Sequence, residues 1–142
     1  MDSDAFAFDH PTGICVSRAL TEMDLLKALS NAAENKMDLK TGWTCYRLPA
    51  FVDGDQRIGC SLWFNRGKLD NIGIAVLDPE EGAAQNDNWS GWSAETERLR
   101  ARKTEQWLVS KGYAPGTYTW GAVWAGCDPK TGDGGGVVSY LA

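Results

Sequence analysis

The stretch from Trp89 to Gly112 constrains the fold most, because it is the longest run whose residues suit one helix. Ser93 is a good N-cap, and Glu95 and Glu97 place negative charge in the first turns, where the helix dipole favours it. Arg98, Arg100, Arg102, Lys103 and Lys111 follow, and Gly112 suits the residue just past the end. The spacing predicts a buried stripe of Leu99, the stem of Lys103, Trp107 and Ser110, widened by Leu108 or Val109. Almost everything apolar outside this helix alternates or lies between turn residues. A chain built this way needs a sheet for the helix to cover.

The strands can be read in order. Phe6 and Phe8 alternate with alanines ahead of the turn Asp9-His10-Pro11-Thr12-Gly13, and Ile14 to Leu20 can pair back. Thr21 to about Asn35 reads as a first helix, with Thr21 and Asp24 as a capping box and Leu25, Leu29 and Ala32 on one face beside Leu26 and Ala33; Met23 packs at its start. Trp43 to Leu48 is a strand ended by Pro49, and Asp53-Gly54-Asp55 is a turn. Ile58 to Phe64 and Leu69 to Leu77 are strands joined by Asn65-Arg66-Gly67-Lys68, with Ile58, Cys60, Leu62 and Phe64 on one face and Ile72, Ile74 and Val76 on the other strand's inner face. Tyr118 to Ala125 is one strand, Asp128 to Gly136 turns the chain, and Val137 to Leu141 returns. The expected fold class is α+β: an antiparallel sheet of about five to seven strands with two helices packed on one face, in a single domain over residues 1–142.

Charge and composition narrow the function. The chain has 142 residues, is 43% hydrophobic and carries a net charge of −5, enough apolar content for a real core. An acidic balance disfavours a general nucleic-acid binder, which needs a basic face. No apolar run approaches the roughly 18 residues that span a bilayer. The acidic start MDSDAFAFDHPTG has neither the basic opening nor the apolar core of a secretory signal, so the expected location is cytoplasmic and no membrane partner is expected. Cys15, Cys45, Cys60 and Cys127 have no C-x-x-C pairing and read as buried small hydrophobes.

Catalytic chemistry finds little footing. His10 is the only histidine, and it lies in a turn beside Pro11, a poor place to hold a base in fixed geometry. The acid pairs Asp53/Asp55, Glu80/Glu81 and Glu95/Glu97 sit at turns or helix starts, where carboxylates serve solubility and capping. Asp128 to Asp133 lacks the calcium-loop spacing and its distal glutamate. The run Gly134-Gly135-Gly136 lacks nucleotide-loop spacing and precedes a strand rather than a helix. No catalytic residue, metal site or cofactor is expected.

The tryptophans are the oddity. Seven of them, Trp43, Trp63, Trp89, Trp92, Trp107, Trp120 and Trp124, is many for this length. Trp107 belongs to the core. If Cys60, Leu62 and Phe64 face the helices, Trp63 points away with Ser61 and Asn65. Parity along one strand from Tyr118 puts Tyr118, Trp120 and Trp124 on a common face. An outward aromatic face on an open sheet marks a protein interface or a ligand groove.

A family resemblance enters with particular residues. Trp92-Ser93-Ala94-Glu95-Thr96-Glu97, then Arg102-Lys103 and Trp107-Leu108, resembles a motif of small uncharacterised bacterial proteins. The strand Trp120-Gly121-Ala122-Val123, the turn Asp128-Pro129-Lys130-Thr131-Gly132, the closing strand Val137 to Tyr140 and the hairpin Phe64 to Leu69 fit the same pattern, which covers the chain from about Trp43 onward. Where that pattern carries a histidine before Trp-Leu, this chain has Thr104-Glu105-Gln106, which argues further against a histidine-based role. Such proteins are similar to cytoplasmic immunity proteins of bacterial toxin–immunity systems, including contact-dependent inhibition. The resemblance implies a small acidic domain that binds one cognate toxin without catalytic residues of its own. Its motifs map onto a cap, a core tryptophan and turns, so no binding residue carries over from them.

The expectation is therefore a non-enzymatic binding protein that occludes a toxin's active site. The expected contacts are Asp78, Glu80, Glu81 and Asp87 in the loop after the central hairpin, with Trp63, Trp120 and Trp124 on the sheet. The alternative is a small ligand-binding or hydrolytic domain with an aromatic cleft, and a homodimer through the sheet face is a further option.

Overall fold

A computed structural model of the chain describes residues 5–29, 36–38, 42–77, 94–127 and 134–140. Its spine is the expected hairpin. Strands β6 (Gln56–Asn65) and β7 (Lys68–Leu77) pair antiparallel. Arg66 and Gly67 connect them at φ 53° and 84°. With both loop residues left-handed, the turn's twist matches that of the strands. Ile58, Cys60, Leu62 and Phe64 alternate into the core from one strand, and Ile72, Ile74 and Val76 from the other. The register shifts between Trp63, opposite Asn71, and Phe64, opposite Leu69. The extra residue, Asp70, lets Leu69 turn inward as well.

Around the hairpin lie β3 (Lys36–Asp38), β4 (Trp43–Arg47), β5 (Phe51–Asp53), β8 (Gly116–Tyr118), β9 (Gly121–Cys127) and β10 (Gly134–Tyr140). The main sheet runs β3-β4-β6-β7-β10-β9-β8, with β5 also on β6. Every pair in it is antiparallel. β4 and β5 line the same edge of β6, parted at Leu48-Pro49-Ala50, because proline has no N–H for the ladder. A small separate sheet joins β1 (Phe8–Asp9) to β2 (Cys15–Val16).

Helix α1 (Glu22–Ala28) starts as expected, with Thr21 accepting from the Asp24 N–H at 3.1 Å. It ends earlier than expected. Leu29 is already extended, and the chain is a strand by Lys36. Ser30 and Asn31 follow, side chains that compete for backbone bonds and weaken a helix. Only Leu25 of this helix is buried, with Leu29 at its end half-buried against the core, whereas Met23 and Leu26 are exposed, so the apolar face is narrower than expected. Ala32 and Ala33 lie outside the described residues.

Helix α2 (Ala94–Ser110) lies across β10, β9 and β7. It closes as a Schellman turn: Gly112 has φ 93°, Tyr113 N–H reaches the Leu108 carbonyl at 2.9 Å and Gly112 N–H that of Val109 at 3.0 Å. Its rotation differs from the expected one. Glu97, Ala101, Thr104, Trp107 and Leu108 are buried, while Leu99 and Val109 are exposed. The cause is the glycine run, which is not a turn but the start of β10. A Cβ on Gly134 would fall 1.9 Å from the Glu97 carbonyl oxygen, and one on Gly136 would fall 3.2 Å from both Leu108 and Thr104 side chains. A helix approaching a strand this closely must present alanine and threonine, not leucine.

Leu25 of α1 and Leu108 of α2 belong to one core cluster with the inward residues of the sheet and with Phe6, Val16 and Leu20. Both helices therefore cover the same face. The segment expected as a single strand from Tyr118 to Ala125 is instead a hairpin, β8 and β9, bent at Thr119-Trp120.

Candidate functional site

The other face of the sheet carries the candidate site. Pairing places Arg47, Ser61, Gly73, Val137 and Trp124 in one row across five strands. At about 4.8 Å per strand the row spans ~19 Å. Cys45, Trp63, Asn71, Ser139 and Ala122 form the neighbouring row. The floor between the tryptophans is made of small side chains. Trp124 is 46% exposed and Trp63 half-buried. The Trp124 indole reaches over Gly126 of its own strand: a Cβ there would meet its Cζ2 at 3.0 Å. The indole thus takes the space over Gly126 while much of it stays in solvent.

Trp120 does not join them. The bend at Thr119-Trp120 turns it inward, where it is 4% exposed. It stacks on Tyr118 at 5.0 Å and packs against Tyr113 and Tyr140. The common face expected for Tyr118, Trp120 and Trp124 does not form, because the strand is broken between Tyr118 and Gly121. Asp78, Glu80, Glu81 and Asp87 lie outside the described residues. Of the seven expected contact residues the structure brings two, Trp63 and Trp124, onto one face.

No protein-family model, curated protein or solved structure matches this chain. The arrangement must be judged on its own chemistry.

Among the described residues, His10, Glu97 and Asp53 are each bound into the fold. His10 is buried rather than on the surface. Its Nε2–H donates to the Pro49 carbonyl at 2.9 Å, and Nδ1 accepts from the Thr12 N–H at 3.2 Å and pairs with Thr12 Oγ1 at 2.7 Å. Its ring also meets the edge of Phe51 at 5.1 Å. It seals the proline break between β4 and β5. Glu97, expected as a helix-start carboxylate, is buried; it accepts from the Gly134 N–H at 2.9 Å and from Arg100 at 2.9 Å. Asp53 accepts from the Trp107 indole at 2.8 Å and pairs with Lys111 at 2.6 Å. Hydrogen bonds from Lys111 and then Trp107 hold its carboxyl below the usual range.

Cys45 and Cys60 are buried as expected, but Cys15 is exposed and Cys127 half-buried. Burial pushes the Cys60 thiol up to about 12 and raises that of Cys45, against the pull of Arg47. Burial also raises the Tyr140 hydroxyl, which donates to the Phe6 carbonyl at 2.6 Å. Among the described residues no group of three or more His, Cys, Asp or Glu is placed to hold a metal, and no helix is long and apolar enough to cross a membrane. Sequence reasoning missed the polar clasp of Glu97 and Thr104 on α2. Its one available signal was the spacing Glu97-Ala101-Thr104-Leu108, a stripe of helical period facing a glycine run.

Proposed function

We propose that this protein is a non-catalytic binding module that neutralises a cognate bacterial toxin by covering its active site, as immunity proteins of contact-dependent inhibition systems do. The observation that carries the reading is Trp124, a large aromatic side chain 46% exposed on a regular sheet. Buried anchors of this type dominate the energy of protein interfaces, and a rigid platform lowers the entropy cost of using them. Trp63 and the small side chains between them extend the same surface. The acidic residues Asp78, Glu80, Glu81 and Asp87, within a chain of net charge −5, would add steering toward a basic active site.

The test is genetic and then physical. The reading frame beside this gene is expressed alone and together with this chain. Arrested growth alone, rescue together and a complex of the two purified polypeptides are expected. A harmless neighbour that does not bind would defeat the reading.

A further inference from the structure

β8, at one end of the sheet, is shorter than the strand it covers. It pairs only with Gly121, Ala122 and Val123 of β9. β9 continues through Trp124 to Cys127, and its inner side pairs with β10 along that length. The β8–β9 loop has two residues, so the flanking pair Tyr118 and Gly121 exchanges its backbone bonds. Alternation then directs the N–H and C=O of Val123, Ala125 and Cys127 toward the line of β8, and those of Ala122, Trp124 and Gly126 toward β10. The Trp124 carbonyl agrees, since a Cβ on Gly136 of β10 would fall 2.9 Å from its oxygen. Among the described residues nothing pairs with the outward groups of Ala125 and Cys127.

Sheet edges left this way invite another strand, and proteins usually blunt them with charge, proline or a bulge. Trp124-Ala125-Gly126-Cys127 carries none of these. The same four residues begin with the exposed Trp124. Two independent features meet at one place: a main-chain edge that no described residue pairs with, and an exposed aromatic ring beside it. We propose that the partner protein adds an extended strand here, along the line of β8, bonding to Ala125 and Cys127 and packing one apolar side chain on the Trp124 indole. The proposal rests on the protein-partner reading above and adds how the partner is held: by main chain, so an extended segment fits and a helix does not.

The test uses the full chain and the polypeptide encoded beside it, with hydrogen exchange and binding measured together. In the free protein the amides of Ala125 and Cys127 exchange quickly while those of Trp124 and Gly126 are protected; in the complex all four are protected. Ala125→Pro removes one outward donor and leaves the inner ladder intact, as proline is tolerated where the N–H faces outward. It is expected to keep the wild-type circular dichroism and to bind about tenfold or more weakly. If the variant does not fold, exchange in the wild-type complex decides alone. Wild type and Ala125→Pro binding alike, or Ala125 and Cys127 still exchanging quickly in the complex, overturns the added strand while the partner reading stands. Failure of the wild-type chain to bind at all overturns both.

Discussion

Thr104 shows how one side chain ties a helix to a sheet. Its Oγ1 donates to the Arg100 carbonyl at 2.8 Å and accepts from the Val76 N–H at 3.0 Å, where the β7–β10 pairing has ended. Thr104→Val keeps the shape but leaves a buried N–H with no acceptor, a loss of about 1–3 kcal/mol. Urea denaturation should show it, and Thr104→Ser should recover most of it. Asp53 makes a pH-dependent contribution of known sign. Its folded pKa lies below the ordinary 3.8. The stabilisation from Lys111 and Trp107 is therefore present above 3.8 and is lost as pH falls through the lower folded value. Wild type should exceed Asp53→Asn in thermal midpoint at neutral pH, with the gap closing in acid below 3.8. An unchanged gap at low pH would remove Asp53 from this role.

At the scale of elements, the meeting of α2 with β10 decides what the chain tolerates. A Cβ on Gly134 would strike backbone at 1.9 Å, whereas on Gly73 its nearest neighbour is the Ser61 side chain at 3.9 Å. Gly134→Ala should cost ~3 kcal/mol or more by overpacking, and Gly73→Ala should be neutral or stabilise by up to about 1 kcal/mol. Denaturant midpoints for the two variants should therefore move in different amounts, and equal losses would contradict the packing described. The same contact explains what was legible in the sequence. The hairpin from Ile58 to Leu77 could be read because alternation and a left-handed glycine turn are both local causes. The existence of α2 was equally plain, from its charges and from Gly112 at its end, while Ser93, read as its cap, lies outside the described residues. Its rotation was not, because Gly134-Gly135-Gly136 resembles a turn until the helix lying on it is known. The bend at Thr119-Trp120 carries no glycine, proline or asparagine to announce it, and His10 is buried against Pro49 and Phe51, both distant in sequence.

For the whole molecule, the open face is assembled by pairing. Trp63 and Trp124 come together only because β7 and β10 lie between their strands. Sequence parity could put Trp63 outward, since its strand is unbroken, but it misplaced Trp120, since the strand expected there is two. The correction separates a tryptophan that serves the fold from one available to a partner, and the two should respond oppositely to removal. Trp120 is enclosed by Tyr113, Tyr118 and Tyr140, so Trp120→Ala should cost about 3–5 kcal/mol of stability. Trp124 lies close to Gly126 and is 46% exposed. Trp124→Ala should change stability by little more than about 0.5 kcal/mol, in the range of ordinary surface substitutions. Its effect should fall on association: as a central anchor its loss should cost about 2 kcal/mol or more, roughly thirtyfold in Kd. Calorimetry of the complex and thermal melting of the free protein measure the two quantities separately. If Trp124→Ala binds as wild type does, the sheet face is not the contact surface, whatever the acidic loop contributes.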